Sequence, residues 1–425
     1  MPGDRRPLAA VLAANAVSIT GSSLTQLAVP LFVLHSTGSA GRAGVVALCT
    51  LLPVVLVALV GGPVIDRVGR LRVGVASDLV CALAVAAVPV LHAAGHLRFW
   101  LLCALMAVTG LCHAPGETAR DVLLPTLAGR AGMPLVRAAG LYDGAARCAG
   151  LTGAALGGVL IAVLGAPYAL LLDAATFLVS ALLLAVGLRG VPEARPCTKA
   201  AETHGYRREL AEGYRFVAAT PLLLGVCLMT LVTRGLDQGW SAVLLPVHAQ
   251  DALGGAVDLG VLEASFGAGA LVGALAYGAV GGRFRRWPVF TVALLVVGLP
   301  RFVVAAGTDT VAPLAVMMAV EGLACGVLNP ILATVLYETV PEALRSRVVC
   351  ATTAAFLTVT PLGGLAAGLL VDGVGLSTAL LLTGGGYLLA TLCPVVFPVW
   401  RQLDGVSARV PRAAASPRGV RRGGR

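Results

Sequence analysis

Twelve apolar stretches, each near the length that crosses a bilayer, leave this chain few ways to fold. Their extents are 8–34, 43–60, 73–95, 99–119, 138–164, 167–188, 221–246, 258–280, 287–306, 311–336, 347–371 and 376–399. A helix needs about 20 residues to cross the hydrocarbon layer. Lipid offers no partner to a free peptide group, so such stretches must be helices. The fourth is the least regular, because Pro115 and Gly116 interrupt it. Charged residues are 12% of the chain, well below the roughly 25% of a soluble domain. The expectation is an all-α integral membrane protein with 12 transmembrane helices, called spans 1 to 12 below.

The net charge of +10 invites a nucleic-acid partner, but its distribution argues for a membrane. With a cytoplasmic N-terminus, 26 of the 31 Lys and Arg residues fall in the N-terminus, the loops after even spans, and the tail. Only Arg42 and Arg98 fall in the opposite loops, and Arg147, Arg234 and Arg301 lie inside spans. That bias places both termini in the cytoplasm. Attraction to anionic lipid is secondary. Thirty Arg against the single Lys199 suggest a high-GC bacterial genome, and so the bacterial plasma membrane.

The first apolar run contains Asn15, Ser18, Thr25 and Gln26. It is also too long for a signal-peptide core, so it reads as an uncleaved helix. Ten cysteines contain no C-x-x-C pair, which makes a structural zinc site unexpected.

The longest internal polar stretch, 189–220, divides the chain into six spans (1–188) and six spans (221–400). Within it, 206–217 has the spacing of a short helix on the membrane surface: Leu210, Tyr214 and Val217 alternate with Arg207, Arg208 and Arg215. The basic tail 401–425 is rich in Arg, Ala, Pro and Gly and is expected to be disordered. Two pairs of segments relate the halves. GAVGGRFRR (278–286) follows span 8 as GGPVIDRVGRLR (61–72) follows span 2, and ALGG (155–158) in span 5 is echoed by PLGG (361–364) in span 11. They support a duplicated six-helix unit.

The 61–72 turn, with Gly62, Asp66, Arg67, Gly69 and Arg70, resembles the G-x-x-x-D-R-x-G-R signature loop of the major facilitator superfamily. Val64 stands where the family usually has Leu. Gly140, Gly153, Gly157 and Gly158 in span 5 resemble the glycine motif of the family's antiporters, with Ala149 and Ala154 replacing a Gly and the Pro. The stretches 137–184 and 337–349 resemble the exporter-like branch, which includes siderophore and macrolide efflux proteins. The resemblance implies two six-helix bundles, a gating role for the signature loop, and a central cavity lined by spans 1, 4, 7 and 10.

The boldest polar groups lie on those spans. Arg234 and Asp237 share a face of span 7, and Glu321 lies near the middle of span 10. Asn15, Thr25 and Gln26 lie on span 1, with Glu117 and Arg120 at the inner end of span 4. A carboxylate at such depth is costly unless protonated or paired, which makes Glu321 and Asp237 candidates for proton coupling. The alternative is a structural Arg234–Asp237 pair locking spans 7 and 10. Asp143 and Arg147, four residues apart in span 5, read as a structural or gating pair. Asp78, Asp173, Glu263 and Arg301 read as groups near span ends that pair locally. The mid-span Arg of many proton antiporters is absent from span 4; His113 there is a relay candidate or simply packed. GAGALVG (267–273) lies within an apolar helix and reads as packing rather than a dinucleotide loop. No Walker sequence is present. Trp100, Trp287 and Trp400 read as interfacial anchors.

The expectation is a monomeric proton antiporter, without cofactor, that exports an amphipathic small molecule such as a drug, antibiotic or secondary metabolite. An importer or uniporter on the same fold is the nearest alternative. A membrane-embedded enzyme lacks a metal-ligand cluster and a sizeable soluble loop, and a transport-dead sensor is at odds with the mid-span charges.

Overall fold

The computed structural model describes residues 5–189 and 203–405, with the side chains of 58–68 and 203–210 among those not described. All secondary structure among the described residues is helical. Ten helices are long and apolar enough to cross a membrane. An eleventh appears if Ala211–Ala219 and Pro221–Asp251, bent by 110°, count as one span. Ala40–Val68 takes the place of span 2 in the order. It ends at Gly69, whose φ of 100° suits a residue without Cβ. The part of the central segment at 190–202 and the tail at 406–425 lie outside the described residues.

Spans 4, 7 and 9 depart from the expectation in their continuity. Span 4 runs unbroken from Phe99 to Arg130, through Pro115 and Pro125. In lipid, neighbouring helices tolerate such a proline where an aqueous helix would end. Span 7 is Pro221–Gly239, then a π-helical turn over Trp240–Leu244, then Leu245–Asp251. Span 9 is broken at Gly298 into Arg286–Val297 and Leu299–Gly307. Gly298 has ψ −113°, and Pro300 has no N–H to continue the ladder. Trp400 is buried and stacks on Phe290 at 5.7 Å, so it is a core residue rather than an interfacial anchor.

Helices of the first six pack mainly with one another, as do those of the second six. Two helix pairs, span 2 on span 11 and span 5 on span 8, carry most of the contact between the sets. Small residues permit both. A Cβ on Gly158 would stand 2.9 Å from Gly260 Cα in span 8, and one on Gly364 would meet Ala47 of span 2 at 3.3 Å. Their neighbours face their own halves: Gly157 packs on Leu24 and Leu27 of span 1, and Gly363 on Gly235 of span 7. The ALGG and PLGG segments thus occupy equivalent contacts. GAGALVG also packs helices: Gly269 and Gly273 lie against Ala319 and Leu323 of span 10.

Candidate functional site

A cavity of about 560 Å³ lies between the halves. Spans 1, 2, 5, 7 and 8 supply nearly all of its wall, span 4 contributes Met106, and span 10 contributes nothing. Its polar wall groups include Gln26, Thr25, Thr50, Arg147, Gln238 and Glu263. Glu263 was expected near a span end; it lies seven residues into Ala256–Val280 and lines the cavity. Arg147 also faces the cavity and forms no ion pair with Asp143, contrary to the expected i,i+4 pair.

The main charge cluster lies on spans 7, 9 and 10. Arg301 Nη1 donates to Glu321 Oε1, and Nη2 donates to Asp237 Oδ1 at 2.6 Å. The guanidinium also lies 4.7–5.3 Å from the rings of Phe302, Tyr387 and Trp240. Arg301 and Glu321 are each about 2% exposed, whereas the Asp237 side chain is 41% exposed. Glu321 Oε2 and Arg301 Nε have no partner. Sequence reasoning found both acids but gave them the wrong base. Arg234 is exposed and pairs with neither acid, although it shares a helix face with Asp237. Arg301 was expected at a span end. The break at Gly298 instead redirects the helix that carries it into the core, and the Gly298-Leu299-Pro300 run just before it was the available signal.

A second cluster is fully buried in the first half. Arg120 Nη1 donates to Asp78 at 3.1 Å and to Ser180 Oγ at 3.3 Å, and Nη2 donates to Ser18 Oγ at 3.4 Å. Ser180 Oγ donates to Asp78 at 2.6 Å. One base meets one acid here, with hydroxyls around them, which is a structural arrangement. Asp78 is therefore a core residue rather than a span-end group. So is Asp173, which accepts from Thr25 and, at 3.1 Å, from Thr176.

The remaining expected site residues scatter. Asn15 is buried, with Oδ1 unpartnered, and is not part of the cavity wall. Glu117 is exposed. His113 packs edge-on against Phe177 at 5.8 Å, the packed alternative. Gly153 and Gly157 pack on span 1, Gly158 crosses to span 8, and Gly140 has open space around it. Gly69 and Arg70 are described, but the side-chain environments of Gly62, Asp66 and Arg67 are not.

The face opposite the chain termini is drawn together by a feature the sequence did not suggest. Asp372, at the end of span 11, accepts from Ser39 Oγ at 2.8 Å and from the backbone N–H groups of Ala40 and Gly41 at 3.0 Å each. These are the free amides at the start of span 2, where a negative charge is favoured. Replacing Asp372 with Ala should weaken this contact between spans 2 and 11 by about 1 kcal/mol, roughly fivefold in the ratio of joined to parted forms. A thiol reagent supplied from that face should then label an Ala47→Cys variant, altered in the cavity wall, several-fold faster. An unchanged rate would mean the contact has no closing role.

The comparisons with known proteins concern the family and the fold. The Major Facilitator Superfamily pattern matches residues 11–254 and again 232–422. The chain belongs to that superfamily. Multidrug efflux pump Tap of Mycolicibacterium fortuitum is 32% identical over 403 residues, covering 94% of this chain and 98% of that protein. Macrolide efflux protein A of Streptococcus pyogenes is 21% identical over 405 residues, 93% of this chain and 96% of that one. Among solved structures, the nucleoside transporter NupG superposes with a TM-score of 0.71 at 14% identity, covering 92% of this chain and 98% of that one. A D-xylose-proton symporter superposes at 0.67 and 15% identity, covering 92% and 96%. At such identity these likenesses concern the fold alone. The superfamily member described here is a multi-pass membrane transport protein and not an enzyme.

Proposed function

We propose that this transporter exports amphipathic small molecules (drugs, antibiotics or secondary metabolites) in exchange for protons, by alternating access. The observation that carries the proton part is the ratio in the Arg301 cluster: one permanent cation and two carboxylates. An arginine does not discharge in a protein. With both acids ionised the cluster carries net −1, and one bound proton neutralises it without stripping Arg301 of a partner. Asp237, half exposed and adjacent to cavity-lining Gln238, gives water a way to the buried Glu321. Gln26 belongs to the cargo cavity in this reading, and the signature loop at Gly62, Asp66, Arg67, Gly69 and Arg70 gates the cycle. Residues 1–188 and 221–400 act as the two moving bundles.

The direction of transport rests on the two efflux proteins named above, whose similarity covers nearly the whole chain. Import remains the alternative on the same fold. Vesicles carrying the purified monomer separate the two readings. An imposed pH gradient should drive a fluorescent amphipathic dye against the proton flow, and movement with the protons would favour import.

The membrane is the bacterial plasma membrane, with both termini and the 189–220 segment in the cytoplasm. Reporter fusions at position 204 and at the C-terminus should both give cytoplasmic signals. An external signal from either would reverse the topology.

A further inference from the structure

The cavity wall holds two opposite charges that do not meet. Arg147 lies on span 5 in the first half, and Glu263 on span 8 in the second. Neither takes part in an ion pair or a side-chain hydrogen bond among the described residues, although the field of Arg301 reaches Glu263. Both point inward by helical periodicity. Arg147 shares its face with Gly150, Leu151 and Ala154, and Glu263 with Phe266, Gly267 and Ala270; all of them line the cavity.

The packing of the two helices sets the distance between the charges. They run antiparallel, with Leu151 against Gly267 and Gly158 against Gly260. Extending that register places Ala155 level with Glu263. Arg147 is eight residues from Ala155, about 12 Å along the axis. Glu263 thus lies toward the face closed by Asp372, and Arg147 toward the face of the termini. Arg147 is exposed and Glu263 half-buried, so each is open to whatever occupies the cavity. A contact between the two side chains is absent here.

We propose that Arg147 and Glu263 are the two poles of the cargo site, and that the preferred cargo is an amphipathic zwitterion. Its protonated amine meets Glu263 and its carboxylate or comparable anion meets Arg147. Such a cargo enters amine first and touches both halves at once, so its binding favours a form in which the halves are drawn together around it. The proposal rests on the transport reading above and adds to it the chemistry of what is carried.

The test uses a rhodamine free acid, which carries both charges, and its methyl ester, which carries only the cation; the delocalised xanthylium charge of the dye stands in for the protonated amine. Binding to the purified full chain is read by fluorescence anisotropy, and transport is read separately in vesicles. The wild type should bind the acid about tenfold or more tightly than the ester, the worth of one charge-assisted contact. Arg147→Gln should weaken the acid alone and bring the two dyes level, while Arg147→Lys should keep part of the preference. Glu263→Gln should weaken both dyes, and Glu263→Asp should weaken them less. Equal wild-type binding of acid and ester, no binding of either, or equal losses of both in Arg147→Gln would overturn the proposal. Selective binding without pH-driven dye movement would leave the two poles standing and remove the export reading instead.

Discussion

The double variant Asp237→Asn with Glu321→Gln should be less stable than the wild type by about 3 kcal/mol, near the low end for stripping a buried charge of its partners. Arg301, itself about 2% exposed, would keep its charge without a carboxylate partner, with only the faces of Trp240, Phe302 and Tyr387 to offset it. The low end applies because Asp237 is 41% exposed, so solvent already screens its share. Arg301→Gln should cost less than the double variant. The two carboxylates it leaves behind can each take up a proton, a relief that arginine lacks. Thermal unfolding of the three proteins in detergent gives the order directly. A double variant as stable as the wild type would mean the cluster contributes no net compensation at Arg301.

The second large effect concerns transport rather than folding. Glu321→Gln should abolish dye movement driven by a pH gradient while leaving dye exchange across vesicles intact. The amide mimics the protonated acid, and Arg301 keeps Asp237 at 2.6 Å, so the protein should still fold. Glu321→Asp should retain part of the driven transport, because a carboxylate remains, though one methylene shorter. The unpartnered Oε2 of Glu321 is where a proton would sit without breaking the Oε1 contact to Arg301. A well-folded Gln variant that still pumps against a gradient would move the proton-carrying role to Asp237.

These two experiments rest on different links of the same argument. The stability order depends only on Arg301 being buried with two acids. Loss of driven transport requires in addition that one of those acids changes protonation during the cycle. A structural triad would give the first result without the second.

The sequence by itself determined the membrane class, the helical order and the internal repeat. Each of these is written in local terms: apolar length, the 61–72 turn, and small residues at matching places in spans 5 and 11. The acids Asp237 and Glu321 were legible for the same reason, since a charge in the middle of an apolar run stands out without knowledge of its neighbours. Their partner was not. Whether Arg234 or Arg301 meets them depends on how spans 7, 9 and 10 rotate about their axes, and the break at Gly298 and the π-turn at Trp240–Leu244 set those rotations. Span 4 shows the same limit: Pro115 ends a helix in water but not in a packed bundle. The Asp372 cap joins residues more than 300 positions apart, and the Arg147–Glu263 offset exists only through the register of spans 5 and 8. Composition and spacing act along the chain, whereas pairing, facing and depth are properties of helices against one another, and only the tertiary structure decided them.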